Sequence, residues 1–350
     1  MINGEIKTEA SYRAINLDSS SSLKDFSVDR KKYHRKYILN ERVEDADSKA
    51  AVTGRVVETL LLEPELFDSR FAMSSCASEP TGNMLAFVTA LQKFTEEATG
   101  EDGSVKRTFA EIAKDAYTES GYKISFEKVI ERFSGSDAEI YYKEMREVRA
   151  KGLTIITTKD LENAEKIVNE LRSNFATAEI VNLVNSARYD VLNQLQIEGY
   201  SVDGRIFKSM LDKVIIDHDK KKIHIYDLKC VWAVENFYEE YYLYRRAYIQ
   251  GYLYYQAVKS MTIDKESDLR GYQVMLPQFI VCDSTNYYNP LIYKMTEKSM
   301  QDAYDGFEAK GRKYPGVKKI IEELNWAIEN DIWNISMDNY LNKGSVNISE

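Results

Sequence analysis

Apolar residues change their spacing along this chain, and the changes divide it into regions. In AAVTGRVVETLLLEPELF they fall at Val56, Val57, Leu60 and Leu61, the spacing of one helix face, and Pro64 ends the run. KDLENAEKIVNELRSNF repeats the pattern with Leu161, Ala164, Ile167, Val168 and Leu171 within a helical stretch over 120–187. From about 188 to 229 the period shortens and β-branched residues take over, which predicts three or four strands. Turns are expected at Glu198–Gly199 or Asp203–Gly204, and over Asp217–Lys220. A long tyrosine-rich helix over 234–260 comes next, then a strand within GYQVMLPQFIVCD and a helical C-terminus. Upstream, 1–21 is polar and serine-rich, a short helix opens near Ser22, and ERVEDADSK is a polar connector. Residues 74–110, with Gly82, Gly100 and Gly103, read as loop-rich, and no repeat of fixed period is present.

Composition narrows the class without naming it. The 350 residues are 44% hydrophobic, enough for a sizeable core, and no run approaches the length of a membrane span or an N-terminal leader. A soluble, cytoplasmic protein is the expectation. Cys76, Cys230 and Cys282 are scattered and form no CxxC pair, so a zinc or iron–sulfur site and a disulfide framework are not expected. His34, His218 and His224 are too few and too dispersed for a histidine-rich metal site. The net charge of −9 argues against a protein that coats DNA, yet leaves room for a cationic groove or bound metal ions.

Chemistry is most concentrated in FKSMLDKVII and KKIHIYDLK, two strands joined by a short polar turn. If Ile216 pairs with Lys221 across a four-residue loop, Met210, Asp212, Val214 and Ile216 share one face. Ile223, Ile225, Asp227 and Lys229 then share the same side on the second strand. Asp212 and Asp227 come side by side or diagonal, each ending a row of aliphatic residues. Two desolvated acids would repel and resist burial, and a hard divalent cation held by oxygen ligands resolves both problems. Lys229 projects to the same side, where it can neutralise a phosphate or orient the attacking water. Acid, acid and lysine around a cation fit phosphodiester hydrolysis. The competing reading makes both aspartates ordinary strand-end acids paired with Lys213 or Lys229.

The run MLDKVIIDHDKKKIHIYDLK resembles the catalytic hairpin of PD-(D/E)XK nucleases, nearest to the phage-type, exonuclease VIII-like (RecE-type) branch related to lambda exonuclease and the RecB nuclease domain. TGRVVETLLLEPELFDSRF resembles that branch's upstream helix, with Glu58 four residues after Gly54, where RecE and RecB relatives commonly carry His. QGYLYY resembles its Q-x-x-x-Y helix, and SLKDF…KKYHRKYIL its opening segment. The resemblance covers mainly 22–72 and 188–282. It implies an α/β fold with a restriction-endonuclease-like core, a central mixed β-sheet flanked by helices and helical insertions. It implies a single nuclease domain: a start over 1–21, N-terminal helices over 22–72, an insertion over 73–187, the catalytic sheet over 188–282 and a helical region over 283–350. It also implies catalytic roles for Asp212, Asp227 and Lys229. Glu58, Asp212, Asp227 and the Leu228 carbonyl would hold one or two Mg²⁺ or Mn²⁺ ions. Gln250 and Tyr254, one helical turn apart, would contact DNA. A homo-oligomeric ring and a single-strand annealing protein partner belong to the same implication, in phage or mobile-element recombination.

Two further segments stay open between DNA contact and structure. RKKYHRK over Arg30–Lys36 is either a phosphate contact or a solvated face. The tyrosines around Arg245 and Arg246 either stack on a single strand or pack a helix on the sheet. The expected activity is exonucleolytic cleavage at DNA ends. A structure- or site-specific endonuclease and a non-catalytic DNA-binding protein of the same fold are the alternatives.

Overall fold

The computed structural model describes residues 8–41, 49–100, 102–285, 287 and 289–346. Two compact units emerge, one of residues 1–54 with 169–350, the other of residues 55–168. Among the described residues no helix is long and apolar enough to cross a membrane.

The unit of residues 55–168 is mainly helical. Its core gathers Phe87, Val88, Leu91, Ile112, Val129, Phe133 and Tyr142, with a two-stranded parallel pair of Phe71–Met73 and Thr154–Ile156. The expected loop over 74–110 is largely a helix, Gly82–Ala98, followed by Phe109–Glu119. Its buried Phe87, Val88, Leu91, Thr95 and Ala98 keep helical spacing; Gly82 is its first residue and Gly100 follows its end, so neither breaks it.

The other unit is built on a six-stranded sheet. Strands β1 (Tyr189–Val202), β2 (Arg205–Asp217) and β3 (Lys222–Val231) are consecutive and antiparallel. Beyond β3 lie β4 (Gln273–Val274) and β5 (Gln278–Asp283), both parallel to it, and β6 (Leu291–Lys294), antiparallel to β5. The sheet is therefore mixed, as expected. A hairpin of Gly306–Ala309 and Arg312–Pro315 in the C-terminal region was not foreseen.

Turn chemistry sets the register. Asp203 and Gly204 both have positive φ, 48° and 77°, which suits the two-residue turn between β1 and β2. Glu198–Gly199, the other expected turn, is instead a register shift within β1, with Gly199 at φ 78°. Between β2 and β3, Ile216 pairs with Ile223, not with Lys221. The slip is two residues, so every side chain keeps its expected face.

Helices cover this sheet. Helix α1 (Ser20–Val28) starts with a capping box between Ser19 and Ser22 and buries Leu23 and Phe26. The expected single helix over 234–260 is divided. A π-helical segment, Tyr238–Tyr244, is capped by Arg245, and the next residue, Arg246, has a left-handed φ of 55° that cannot continue a right-handed helix. Helix α2 (Ala247–Ile263) then runs on and connects the parallel strands β3 and β5. Tyr248, Leu253, Ala257 and Val258 join Ile216, Ile223, Ile225, Leu23 and Phe26 in one apolar cluster.

The β2–β3 turn carries a polar lock. Asp217 accepts bonds from Arg188 Nη2 at 2.8 Å, Arg188 Nε at 3.2 Å and the Lys220 amide at 3.0 Å. The Arg188 bond leads these in pulling the carboxyl from 3.8 down to about 2. A depressed carboxylate contributes stability that is full above about pH 4 and is lost as pH falls through about 2. Asp217→Asn should therefore lower the thermal midpoint at pH 7, with the deficit closing between pH 4 and pH 2. Thermal unfolding across that range checks it, and a deficit that persists unchanged at pH 2 would refute the carboxylate's role.

Candidate active site

Asp212 and Asp227 come from neighbouring strands, where the sheet's regular pairing lapses. The β2–β3 ladder ends with Lys213 opposite Tyr226. One step further along the same register sets Asp212 against Asp227. On the other side, the β1–β2 ladder runs from Asn193–Lys213 to Leu195–Leu211 and skips Gln194, which has a φ of 49°. With backbone pairing interrupted, the Leu228 amide donates to Asp212 Oδ2 at 2.7 Å. A side chain thus replaces a strand partner, and Asp212 is fixed by the chain that carries Asp227.

Asp227 is the more deeply placed acid, only 1% exposed. Its Oδ1 accepts from Gln250 Nε2 at 2.7 Å. Its Oδ2 makes no hydrogen bond of acceptable geometry and is held by the charge of Lys229, whose Nζ lies against it. Lys229 also donates to the Leu228 carbonyl at 3.3 Å. The part of the competing reading that pairs Asp227 with Lys229 is thus present. Lys213, the other amine of that reading, is buried and donates to Asn193 Oδ1 at 3.4 Å. Burial alone lowers the Lys213 ammonium to about 8.

Gln250 and Tyr254, expected as DNA contacts, lie buried against the carboxylates. Gln250 Nε2 donates to the Tyr254 hydroxyl at 2.8 Å as well as to Asp227, and its Oε1 accepts from Lys24 Nζ at 3.3 Å. Burial first, then the charges of Asp212 and Asp227, push the Tyr254 hydroxyl well above its ordinary range. One phenol therefore feels both acids. Gly251, next to Gln250, lets α2 lie close to the sheet, since a Cβ there would run into the Met295 sulfur and press the Phe279 ring at 3.3 Å.

Lys24 on α1 is the participant that the sequence pattern did not single out. Burial lowers its ammonium to about 8, Lys229 adds repulsion, and Asp227 and Asp25 partly offset both. Its position beside the buried Leu23, on a helix whose apolar face docks on the core, was the available signal.

Glu58 belongs to the other unit, and its place in the site rests on the resemblance alone. It lies partly buried on the helix Lys49–Leu62, in the unit of residues 55–168. Among the described residues no three His, Cys, Asp or Glu side chains gather closely enough to hold a metal ion between them. The donors at the strand ends are still of the right kind: two carboxylates, a backbone carbonyl and a buried Oδ2 without a hydrogen bond. Hard oxygen donors suit Mg²⁺ or Mn²⁺, and Mg²⁺ commonly takes only one or two carboxylates and keeps several waters. In kind, these residues fit such an ion.

No family model and no curated protein matches the chain. Among solved structures it is similar to a protein from Eubacterium rectale described as a candidate exonuclease, at 14% identity and a TM-score of 0.48, over 99% of this chain and 96% of that one.

Proposed function

We propose that the chain is a metal-dependent deoxyribonuclease that hydrolyses phosphodiester bonds at DNA ends. The observation that carries the reading is the buried Asp227 carboxylate, with one oxygen on an amide and the other on an amine, beside a second acid at an interrupted strand pair. A carboxylate so desolvated is costly, by several kcal/mol as an order of magnitude, unless charge compensates it. Lys229 supplies part of that compensation, and a hard cation would supply more. The hairpin's resemblance to PD-(D/E)XK nucleases supports the same assignment.

In this reading Asp212, Asp227 and the Leu228 carbonyl hold the cation, with Glu58 as a further ligand on the strength of the resemblance. When bound, the ion supplies Lewis acidity and neutralises charge on the scissile phosphate. The protein's own groups do the rest. Gln250 holds Asp227 Oδ1 in place, and the Leu228 amide holds Asp212 Oδ2, so neither acid has to reorganise when substrate arrives. Lys229, still partly accessible at 23%, offers its ammonium to a phosphate oxygen or orients the attacking water. Burial of the Asp227 side limits competition from bulk water.

Two measurements test this. With Mg²⁺, the purified protein should shorten linear DNA and leave covalently closed circles intact. Cleavage of the circles would instead identify an endonuclease on this scaffold, and DNA binding without nucleotide release with Mg²⁺ or Mn²⁺ would identify a non-catalytic binder. In the second, Asp227→Ala and Lys229→Ala should each lose at least ~10²-fold in turnover, the scale of one electrostatic contribution to a transition state, while circular dichroism reports an intact fold. Unchanged turnover in either variant removes that residue from the assignment.

A further inference from the structure

We propose that Lys24 is a positioning residue of this site: by donating to Gln250 Oε1, it fixes which end of the amide faces Asp227. The inference rests on the nuclease reading for its consequence in turnover, but its geometry stands independently.

A glutamine amide has two ends of nearly equal shape and opposite polarity, so only its hydrogen-bond partners decide its orientation. Here the partners differ in kind. Asp227 Oδ1 is an acceptor, which calls for the amide nitrogen, and Lys24 Nζ can only donate, which calls for the amide oxygen. Tyr254 can donate or accept, and so is compatible with either end. With Lys24 in place, a flipped amide would set oxygen against carboxylate and nitrogen against ammonium. Without Lys24 only the first conflict remains, and Tyr254 could rotate to donate to the flipped oxygen. The carboxylate would then lose its amide donor and keep only Lys229.

Lys24 occupies this position at a cost. Its ammonium is driven down to about 8 by burial and by repulsion from Lys229. A lysine on a short, capped helix could avoid that cost by turning to water. It stays where its bond to Gln250 reaches across 226 positions of sequence, tying the opening helix to the helix between the parallel strands. α1 therefore does more than cover the sheet.

The test combines turnover with a probe that needs no activity. Lys24→Met keeps the bulk of the stem and removes the charge, and Lys24→Arg restores a donor. On linear DNA with Mg²⁺, Lys24→Met should reduce kcat roughly tenfold, the rate equivalent of one hydrogen bond to a charged group, with KM changed less than about twofold. Lys24→Arg should recover most of the loss. In a Gln250→Leu background, Lys24→Met should cost less than about twofold, because the group it acts through is gone. In ¹⁵N-labelled full-length protein, the Gln250 side-chain NH₂ resonances should move in Lys24→Met and remain near their original positions in Lys24→Arg. Additive losses in the double variant, or Gln250 resonances unmoved by Lys24→Met, overturn the proposal. If the wild type releases no nucleotides, the nuclease reading fails, and the resonances alone decide the role of Lys24.

Discussion

The placement of one negative charge governs this site. Asp227 lies in the middle of a mixed sheet, between an antiparallel and a parallel neighbour, and almost none of it reaches water. Ordinary strand residues at such a place are aliphatic, as Ile223 and Ile225 are on the same face. A buried carboxylate has to be balanced by donors and opposite charge, or it takes up a proton. Gln250 from α2 and Lys229 from the same strand provide that balance. Their positions in turn require α2 to approach the sheet closely, which the absence of a side chain at Gly251 permits.

The interrupted pairing around Asp212 belongs to the same arrangement. A continuous β2–β3 ladder would use the Leu228 amide in backbone pairing and leave Asp212 to find other donors. Where the ladder stops, that amide becomes the Asp212 donor, and the Leu228 carbonyl becomes reachable by Lys229. The left-handed Gln194 across from Asp212 marks the same lapse on the other strand. Backbone strain of this sort costs of order 1 kcal/mol and persists only where the surroundings enforce it. It coincides here with the two acids, at the place where the β2–β3 and β1–β2 ladders both lapse.

How much of this could be read in the sequence depended on the range of the interaction. The hairpin was legible because alternation fixes faces: Asp212 and Asp227 had to share a side once the loop length was even, and a two-residue slip left that conclusion standing. Gln250 and Tyr254 were legible as a pair, through helical spacing, but not in what they touch. Gln250 meets Asp227 on β3 and Lys24 on α1, and no periodicity encodes such a meeting. Lys24 was hidden for the same reason. The helix Gly82–Ala98 was missed because glycines at its flanks were given the weight of breakers, while the apolar spacing inside it was the stronger signal. Arg246 divides the two helical segments through its left-handed conformation, with no proline or glycine at that position to announce it.

The charge balance at the strand ends suggests how an acidic chain could engage a polyanion. At the strand ends Asp212 and Asp227 stand with Lys24 and Lys229, two acids with two amines, and Asp25 acts on Lys24 as well. A phosphate approaching that set gains little net attraction, and the overall charge of −9 works against it at longer range. A divalent cation held by the acids would, on the proposed reading, raise the charge of that set by two. On the proposed reading, metal binding and DNA binding are therefore coupled through electrostatics, each favouring the other by the same free energy. Such coupling needs no conformational change. It follows from setting amines against carboxylates at the strand ends, with Gln250 and the Leu228 amide holding the acids as neutral donors.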